Sequence, residues 1–172
     1  MKKVRISVMF FMLSAGMFTF TSCGGSETPT ETTTEQTDPH EAHAHEDATA
    51  VTLEIESNDK MQFNLSELNV KAGQEVTLVL KHTGTMAKTA MGHNLVILKA
   101  GVDLATFAKE AIAAKDNDYI PVDSQDVIAH TKLIGGGESD QITFTAPEAG
   151  EYDFICSFPG HYSMMKGKLI VE

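Results

Sequence analysis

The sequence is poor in several residue types, and each shortage excludes a class of protein. It has only two cysteines in 172 residues, which excludes a small scaffold held by many disulfides. Its 13 basic side chains face 24 acidic ones, and the formal net charge of −11 disfavours nucleic acid as a partner. Tryptophan is absent, yet hydrophobic residues make up 42% of the chain. That content and the length predict one packed domain with extensions.

The first 22 residues have the pattern of an export signal. Lys2, Lys3 and Arg5 form a positive start, and residues 6–20 carry no charge. An uncharged run of this length is short for a membrane-spanning helix but fits the apolar part of a secretory signal peptide. We therefore expect residues 1–22 to be removed as the chain leaves the cytoplasm. Removal of the three basic residues brings the net charge to −14.

Cys23 lies directly after the uncharged run and is preceded by the small residues Thr21 and Ser22. Small residues before a cysteine resemble the cleavage site of bacterial lipoproteins, in which that cysteine becomes the lipid-bearing N-terminus. The alternative is ordinary secretory cleavage nearby, with Cys23 incidental. The position of the cysteine at the end of the apolar run favours lipidation. We therefore expect a periplasmic protein anchored to a membrane by lipid at Cys23.

Residues 24–50 have the composition of a disordered linker. They contain seven acidic side chains, no lysine or arginine, and no large aliphatic or aromatic residue. Such a segment cannot bury enough apolar surface to offset its ordering entropy. His40, His43 and His45 could bind a metal weakly, but nothing fixes their geometry. The sequence therefore predicts that residues 23–50 form a lipidated cysteine followed by an acidic tether.

Residues 51–172 carry the alternating pattern of short strands. Apolar and polar residues alternate in segments such as 51–56 and 76–81, and glycine-containing turns separate these segments. Many short strands at this spacing predict an all-β sandwich or barrel. Residues 103–114 instead repeat their apolar side chains at helical spacing, with Asp103 as the N-cap. We therefore expect one helix packed against the outside of the sandwich.

The residues most informative about chemistry lie near the C-terminus. Residues 156–165 read CSFPGHYSMM, so a cysteine, a histidine and two methionines lie within ten positions. The Pro-Gly pair predicts a tight turn that lets the side chains of Cys156 and His161 point to one centre. A second histidine, His93, lies far upstream in the segment Met-Gly-His-Asn. A thiolate, two imidazoles and a weak thioether are the ligand set of a blue-copper site.

Each of these residues alone has a more common structural role. A single cysteine at the end of an apolar strand is usually a small buried hydrophobe, and a single histidine is usually a hydrogen-bonded structural residue. The combination is what makes the copper site specific. Spacing alone does not separate Met164 from Met165 as the thioether ligand.

Three other functions use parts of the same pattern. A copper-delivery module would exploit the histidine-containing tether, but a buried rigid site holds its metal. A hydrolase would use Cys156 with His161, but His93 and a methionine point to the same centre and no oxyanion-hole pattern is evident. A larger copper oxidase or reductase would need a second copper site, which the sequence does not contain.

The domain resembles the azurins, type-1 copper proteins of the cupredoxin family, over essentially all of residues 51–172. The resemblance is carried by residues 57–64 (SNDKMQFN), 91–94 (MGHN), 127–135 (VIAHTKLIG) and 156–167. It implies an eight-stranded Greek-key β-sandwich with one external helix. It also implies an electron carrier, not an enzyme, with one copper ion as the cofactor.

The family pattern assigns a role to each candidate ligand. It implies that His93, Cys156 and His161 are the equatorial ligands and that Met165 is the axial thioether. It implies that the carbonyl oxygen of Gly92 makes the opposite weak axial contact. Two further residues match positions beside the thiolate, namely Asn94 and Phe158.

The resemblance also implies a docking surface at the edge of His161. Its partners would be redox proteins such as c-type cytochromes or copper and haem reductases and oxidases. The matching apolar positions are Met61, Met86, Ala90, Met91, Phe158, Pro159, Gly160 and Met164. Methionines make a soft surface suited to brief encounters. The alternative for Met61 and Met86 is a place in the core.

Three positions depart from the azurin pattern, and a fourth has an open role. Val51 and Gly73 lie where azurins typically carry a disulfide, and Leu95 lies where some carry a buried tryptophan. None of these changes touches a ligand. His82 matches a histidine near the copper of azurins, and a plain structural role fits it equally well.

Overall fold

A computed structural model describes residues 50–172 of the protein. The predicted signal peptide at residues 1–22, Cys23 and the linker up to residue 49, with its three histidines, lie outside the described residues. Among the residues described, no helix has the length and apolar character needed to cross a membrane.

The described chain consists mainly of short strands. Its nine strands are β1 (Val51–Asn58), β2 (Gln62–Phe63), β3 (Glu67–Val70), β4 (Glu75–His82), β5 (Val96–Leu98), β6 (Val127–His130), β7 (Ser139–Thr145), β8 (Gly150–Ile155) and β9 (Lys166–Val171). Its helices are α1 (Lys88–Met91) and α2 (Leu104–Ala113), followed by a 3₁₀ turn at Lys115–Asn117. The expected all-β class is confirmed.

The strands form two sheets, as expected for a sandwich. One sheet has the order β2-β1-β4-β7 and the other the order β3-β9-β8-β5-β6. The pairs β1–β4 and β3–β9 are parallel, whereas every other strand pair in the described residues is antiparallel. Sequence neighbours such as β3 and β4 therefore lie in different sheets, and the connections between them cross from one layer to the other.

The described residues contain nine strands, whereas the resemblance to azurins implied eight. The short strand β2 pairs with the end of β1, where Ser57 faces Phe63 and Asn58 faces Gln62. Two residues are too few for an alternating pattern to be visible in the sequence.

Alternation along β4 shows how the sandwich core forms. Val76, Leu78 and Leu80 have no exposed surface and alternate with more exposed neighbours. Burying each such side chain contributes ~1.5–3 kcal/mol relative to leaving it exposed. The main core also includes Ile55, Leu68, Leu95, Ile97, Phe154 and Leu169. This packed framework supports the loops that carry the candidate ligands.

Helix α2 forms where the sequence predicted a helix. The Asp103 carboxylate accepts a hydrogen bond from the Thr106 backbone N–H at 2.8 Å, so it caps the helix as expected. Phe107 and Ala111 are buried in a second core cluster that also contains Val96 of β5. Helix α1 was not predicted, because four residues are too short to show a helical period.

Candidate metal centre

Cys156 lies immediately after β8, at the point where the chain leaves the sheet. Its side chain has no exposed surface. Its backbone N–H donates to the carbonyl oxygen of Met165 at 2.9 Å, just before β9 begins. The segment 156–165, which we call the ligand loop, is therefore closed at its base by the strand pair that holds both ends.

The ligand loop is tightened by its own backbone hydrogen bonds. The N–H of His161 donates to the carbonyl oxygen of Phe158 at 3.0 Å, and the N–H of Met165 donates to that of His161 at 2.8 Å. Gly160 has φ +85°, a conformation that favours glycine. The turn brings His161 back toward Cys156.

His93 reaches the same centre from a distant part of the fold. Its backbone forms an isolated antiparallel bridge with Ile134, with N···O distances of 2.9 and 2.8 Å. A Cβ on the preceding Gly92 would approach the Lys88 carbonyl oxygen to 2.5 Å and the Leu133 side chain to 3.0 Å. Glycine is therefore required for the close approach of this segment to its neighbours.

The three side chains converge with their ligand atoms facing one another. Cys156 Sγ lies 3.8 Å from His93 Nδ1 and 3.7 Å from His161 Nδ1. The three ligand atoms all lie within 4.8 Å of one another. His93 and Cys156 have no exposed surface, and His161 is 4% exposed. One metal ion could therefore bind all three atoms in a cavity almost closed to water.

A hydrogen bond fixes which nitrogen of His93 is free to bind metal. His93 Nε2 lies 2.9 Å from the Asn58 carbonyl oxygen, which can only accept. Nε2 must therefore carry the proton, and Nδ1 presents its lone pair to the centre.

Burial makes the metal-free cavity favour neutral side chains. It raises the pKa of the Cys156 thiol to about 12, against smaller opposing effects of backbone hydrogen bonds. It lowers the pKa of His93 to about 4, despite the hydrogen bond to Asn58, and also lowers the pKa of His161. A bound cation must therefore supply the charge that stabilises a thiolate here.

Asn94 links the ligand loop to the His93 segment. Its Nδ2 donates to the Ser157 hydroxyl and to the Asp118 carbonyl oxygen, both at 2.8 Å. Its Oδ1 accepts from the Ser157 backbone N–H at 2.8 Å. The Ser157 hydroxyl in turn donates to the Tyr119 carbonyl oxygen at 2.8 Å. The bonds among Asn94, Ser157 and Tyr119 are buried, whereas the bond to Asp118 is part-buried, so the link between the two ligand-bearing segments is shielded from water.

His82 lies behind His93 as a buried structural neighbour. The two ring centroids are 4.5 Å apart. His82 Nδ1 accepts from the Gly84 backbone N–H at 3.0 Å, so Nε2 carries the proton and donates to the Met91 carbonyl oxygen at 3.0 Å. His82 thereby ties the end of β4 to the segment that leads into His93.

The structure adds two residues that the sequence did not single out. The carbonyl oxygen of Asn58 orients His93, and the Asp59 carboxylate accepts from the backbone N–H groups of Thr85 and Met86 at 2.8 and 3.2 Å. These hydrogen bonds lower the pKa of Asp59. Backbone contacts between distant loops leave no side-chain signal in a single sequence. Ser157 was visible only as one position within the loop motif.

The expected docking positions differ in their exposure. Met164 and Met86 are 60% and 41% exposed, whereas Met61 and Met91 are half-buried. Pro159 and Phe158 are half-buried, and Gly160 and Ala90 are exposed. The Phe158 ring contacts the His161 ring, with centroids 4.6 Å apart. Neither main core cluster includes Met61 or Met86.

Met165 and Gly92 are both buried, and each is connected to a candidate ligand through its backbone. Met165 has no exposed surface, and its backbone bonds to both Cys156 and His161. Gly92 precedes His93 directly and is also buried.

Comparisons with known proteins identify the metal that suits this donor set. The family described as copper binding proteins, plastocyanin/azurin family, matches residues 48–172. Azurin from Alcaligenes faecalis is 46% identical over 124 residues, which are 70% of this chain and 97% of that protein. Outer membrane protein H.8 from Neisseria meningitidis serogroup B is 51% identical over 118 residues, or 67% of this chain. The match spans only 64% of the length of that relative.

Solved structures show the same fold. Reduced auracyanin from Roseiflexus castenholzii matches with a TM-score of 0.65 and 41% identity, over 72% of this chain and 98% of that one. Auracyanin A from Chloroflexus aurantiacus, described as a "blue" copper protein, matches with a TM-score of 0.66 and 38% identity, over 72% of this chain and 99% of that one. The buried thiol and two imidazoles fit copper, and the centre is a type-1 copper site.

Proposed function

Because the chain belongs to the plastocyanin/azurin family of copper-binding proteins, we propose that it is an electron carrier that cycles one type-1 copper between Cu(I) and Cu(II). The single observation that carries this proposal is the convergence of Cys156 Sγ with the Nδ1 atoms of His93 and His161 in a buried cavity. The bound copper supplies the one-electron chemistry. The protein supplies the ligands, their orientation and the exclusion of water.

In this proposal His93, Cys156 and His161 would be the three main ligands of the copper. Met165 would supply the weak thioether ligand, and the Gly92 carbonyl oxygen would make a further weak contact. The complete burial of Met165 and its backbone bonds to Cys156 and His161 support this choice over the exposed Met164. An exposed thioether at residue 164 is free to face solvent instead.

The surroundings of the ligands support rapid electron transfer. Each equatorial ligand is held by contacts that do not depend on the metal, including the His93–Asn58 hydrogen bond and the Asn94–Ser157 network. A site whose ligands are fixed in advance changes little when the charge of the metal changes. Small rearrangement is what a one-electron carrier needs, because every rearrangement adds to the barrier.

The same burial argues against a cysteine hydrolase. A catalytic thiol must be accessible and readily ionised. Cys156 has no exposed surface, and its pKa is raised to about 12. We therefore propose that Cys156 is a copper ligand and not a catalytic nucleophile, in keeping with an electron carrier that is not an enzyme.

Electron exchange takes place at the edge of His161, the only one of the three ligands with any exposure. The docking surface consists of Met61, Met86, Ala90, Met91, Phe158, Pro159, Gly160 and Met164. The exposed apolar side chains of Met86 and Met164 support this role, because such patches mark interaction sites. Its partners are other redox proteins, such as c-type cytochromes or copper and haem reductases and oxidases.

The carrier works outside the cytoplasm, anchored to a membrane. The signal-like residues 1–22 and the lipoprotein-like site at Cys23 support export and lipidation. The name of the H.8 relative, an outer membrane protein, is consistent with this location. Residues 23–50 then act as a tether for the copper domain at residues 51–172.

The test is reversible one-electron cycling of the copper-loaded full chain. We expect an intense blue absorption that ascorbate abolishes and ferricyanide restores, over repeated cycles with one electron per protein. The zinc-loaded protein is the matched control, because it has the same ligands without redox chemistry. Copper binding without the blue absorption, or loss of the metal on reduction, would refute the proposal.

A further inference from the structure

The methionines of the domain are concentrated around the copper centre. The chain has nine methionines, of which four precede residue 18 and five lie in residues 51–172. These five are Met61, Met86, Met91, Met164 and Met165. Within residues 50–172, the two hydrophobic clusters that fill the sandwich contain no methionine, although methionine is an ordinary gap-filler in cores.

The hydrogen bonds of these methionines connect them to the surroundings of the ligands, directly for Met164 and Met165 and through other residues for Met61 and Met86. The Met61 backbone N–H donates to the Asn58 carbonyl oxygen at 3.2 Å, and this same oxygen accepts from His93. The Met86 backbone N–H donates to Asp59, the residue next to Asn58. Met164 donates its N–H to the carbonyl oxygen of His161 at 3.0 Å. Within the described residues, the thioethers therefore lie in the ligand loop, at the end of α1 and in the two turns that contain Met61 and Met86.

The burial of the ligands creates a need for an entry route. Cys156 and His93 have no exposed surface, and His161 is only 4% exposed. A copper ion arriving from solvent therefore cannot contact the thiol directly. Met164 is 60% exposed and Met86 is 41% exposed, so both side chains are accessible to an ion in the solvent.

Thioether sulfur selects the cuprous ion. It is a soft ligand that favours Cu(I), whereas harder ions prefer nitrogen and oxygen ligands. Leucine has a similar volume and could also form an apolar docking surface. Besides its adaptable shape, methionine adds a sulfur atom to this surface.

From this distribution we propose that Met86 and Met164 are a capture site for Cu(I) that loads the centre past His161. The inference rests on the proposed function, since its destination is the same copper site. Copper stays Cu(I) during transfer, so no electron acceptor is required. The Cys156 thiol releases its proton to water as the sulfur–copper bond forms.

The experiment measures copper uptake by the metal-free full chain. The probe is the Cu(I)–bicinchoninate complex, whose absorbance falls as copper leaves it. The test variant is Met86→Leu/Met164→Leu, which keeps the apolar volume and removes both sulfur atoms. We expect Cu(I) uptake to be about tenfold slower or more, as when a group that orients a metal is lost.

Two controls make the result specific. Uptake of Cu(II) from copper sulfate should keep the parent rate in the variant, because thioethers favour Cu(I) over Cu(II). Adding Ile112→Met, at an exposed position of α2 outside the ligand segments, should not restore Cu(I) uptake. An unchanged Cu(I) rate, equal slowing of both ions, or restoration by Ile112→Met would each overturn the inference.

The outcome is separable from the proposed function. The electron-carrier proposal is tested on the parent protein alone, by its blue absorption and redox cycles, and the uptake experiment compares only rates of copper loading. A parent protein that fails to turn blue would refute the electron-carrier proposal whatever its uptake rate.

Discussion

The ligand loop and the His93 segment are held in different ways. Cys156 and His161 lie five residues apart, in a turn closed by its own backbone hydrogen bonds. His93 lies 63 residues away from Cys156 and is held by Ile134 and Asn58, which belong to other parts of the chain. The loop thus fixes two ligands locally, whereas the third depends on the whole sandwich. Substitutions in the ligand loop should therefore alter the metal chemistry. Substitutions in the parts of the fold that hold His93 should instead lower the stability of the centre.

The largest expected effect is the loss of the thiolate itself. Cys156→Ser should abolish the blue absorption of the copper-loaded protein, because a hydroxyl does not replace thiolate as a soft anionic ligand. Visible absorption after copper loading checks this. Ser163→Ala is the matched control in the same loop, since Ser163 is exposed and its hydroxyl makes only a 3.5 Å contact to Gly160. The Ser163→Ala variant should remain blue. An equally blue Cys156→Ser variant would show that the thiolate is not a copper ligand.

The second effect is a pH dependence of the metal-free protein that comes from His93. Its pKa is about 4 in the fold, against 6.5 for an unperturbed histidine. Between these values the unfolded chain binds a proton that the folded chain does not, so folding stability falls as the pH is lowered. The loss should reach about 3 kcal/mol by pH 4 and be absent above pH 7.

Urea unfolding at several pH values measures this loss. The pKa of His161 is lowered by burial as well, so its contribution has the same sign. His93→Gln should weaken the dependence because it removes one of the two groups. A free energy of unfolding that stays constant between pH 7 and pH 4 would contradict the burial argument.

A smaller effect is expected from the link between the two regions. Asn94→Ala leaves the buried Ser157 backbone N–H and the part-buried Asp118 carbonyl oxygen without their partner. It should lower the free energy of unfolding by about 2 kcal/mol. It should also alter the visible spectrum of the copper-loaded protein, because the His93 segment and the ligand loop are no longer joined.

Ser157→Ala separates the contribution of the Ser157 hydroxyl from that of its backbone N–H. It removes the hydroxyl that bonds to Asn94 and Tyr119 but keeps the backbone N–H bond to Asn94. Its effect on the free energy of unfolding and on the spectrum should be smaller than that of Asn94→Ala. The reverse order would show that the side-chain hydroxyl, and not the backbone bond, joins the two regions.

The smallest effect is expected far from the copper. Asp103→Ala removes the N-cap of α2 and should cost about 1 kcal/mol of folding stability. The blue absorption should be unchanged, because no residue of α2 bonds to a candidate ligand. Chemical unfolding and visible absorption on the same sample measure both quantities. A shifted spectrum would mean that the helix contributes to the geometry of the centre.

This contrast also explains what could be predicted from the sequence. The β-class, the helix near residues 104–113 and the loop motif CSFPGHYSMM depend on local patterns, and these patterns are visible in one chain. The resemblance to azurins decided between a sandwich and a barrel and assigned a role to each candidate ligand. The two-residue strand β2 and the four-residue helix α1 are too short for any periodicity, so they were missed.

Contacts made by backbone atoms were also beyond reach. The carbonyl oxygen of Asn58 orients His93, yet every residue type has such an oxygen. The position of Asp59 opposite the Thr85 and Met86 N–H groups depends on how two loops meet in space. The azurin resemblance implied that Asn94 lies beside the thiolate, but its partners in the ligand loop and at Asp118 required the structure.

The most direct test of the central claim is a crystal structure of the copper-loaded full chain. We expect one copper ion bonded to Cys156 Sγ and to the Nδ1 atoms of both His93 and His161. Copper bound instead by His40, His43 and His45 of the tether, with the Cys156 thiol free, would contradict it.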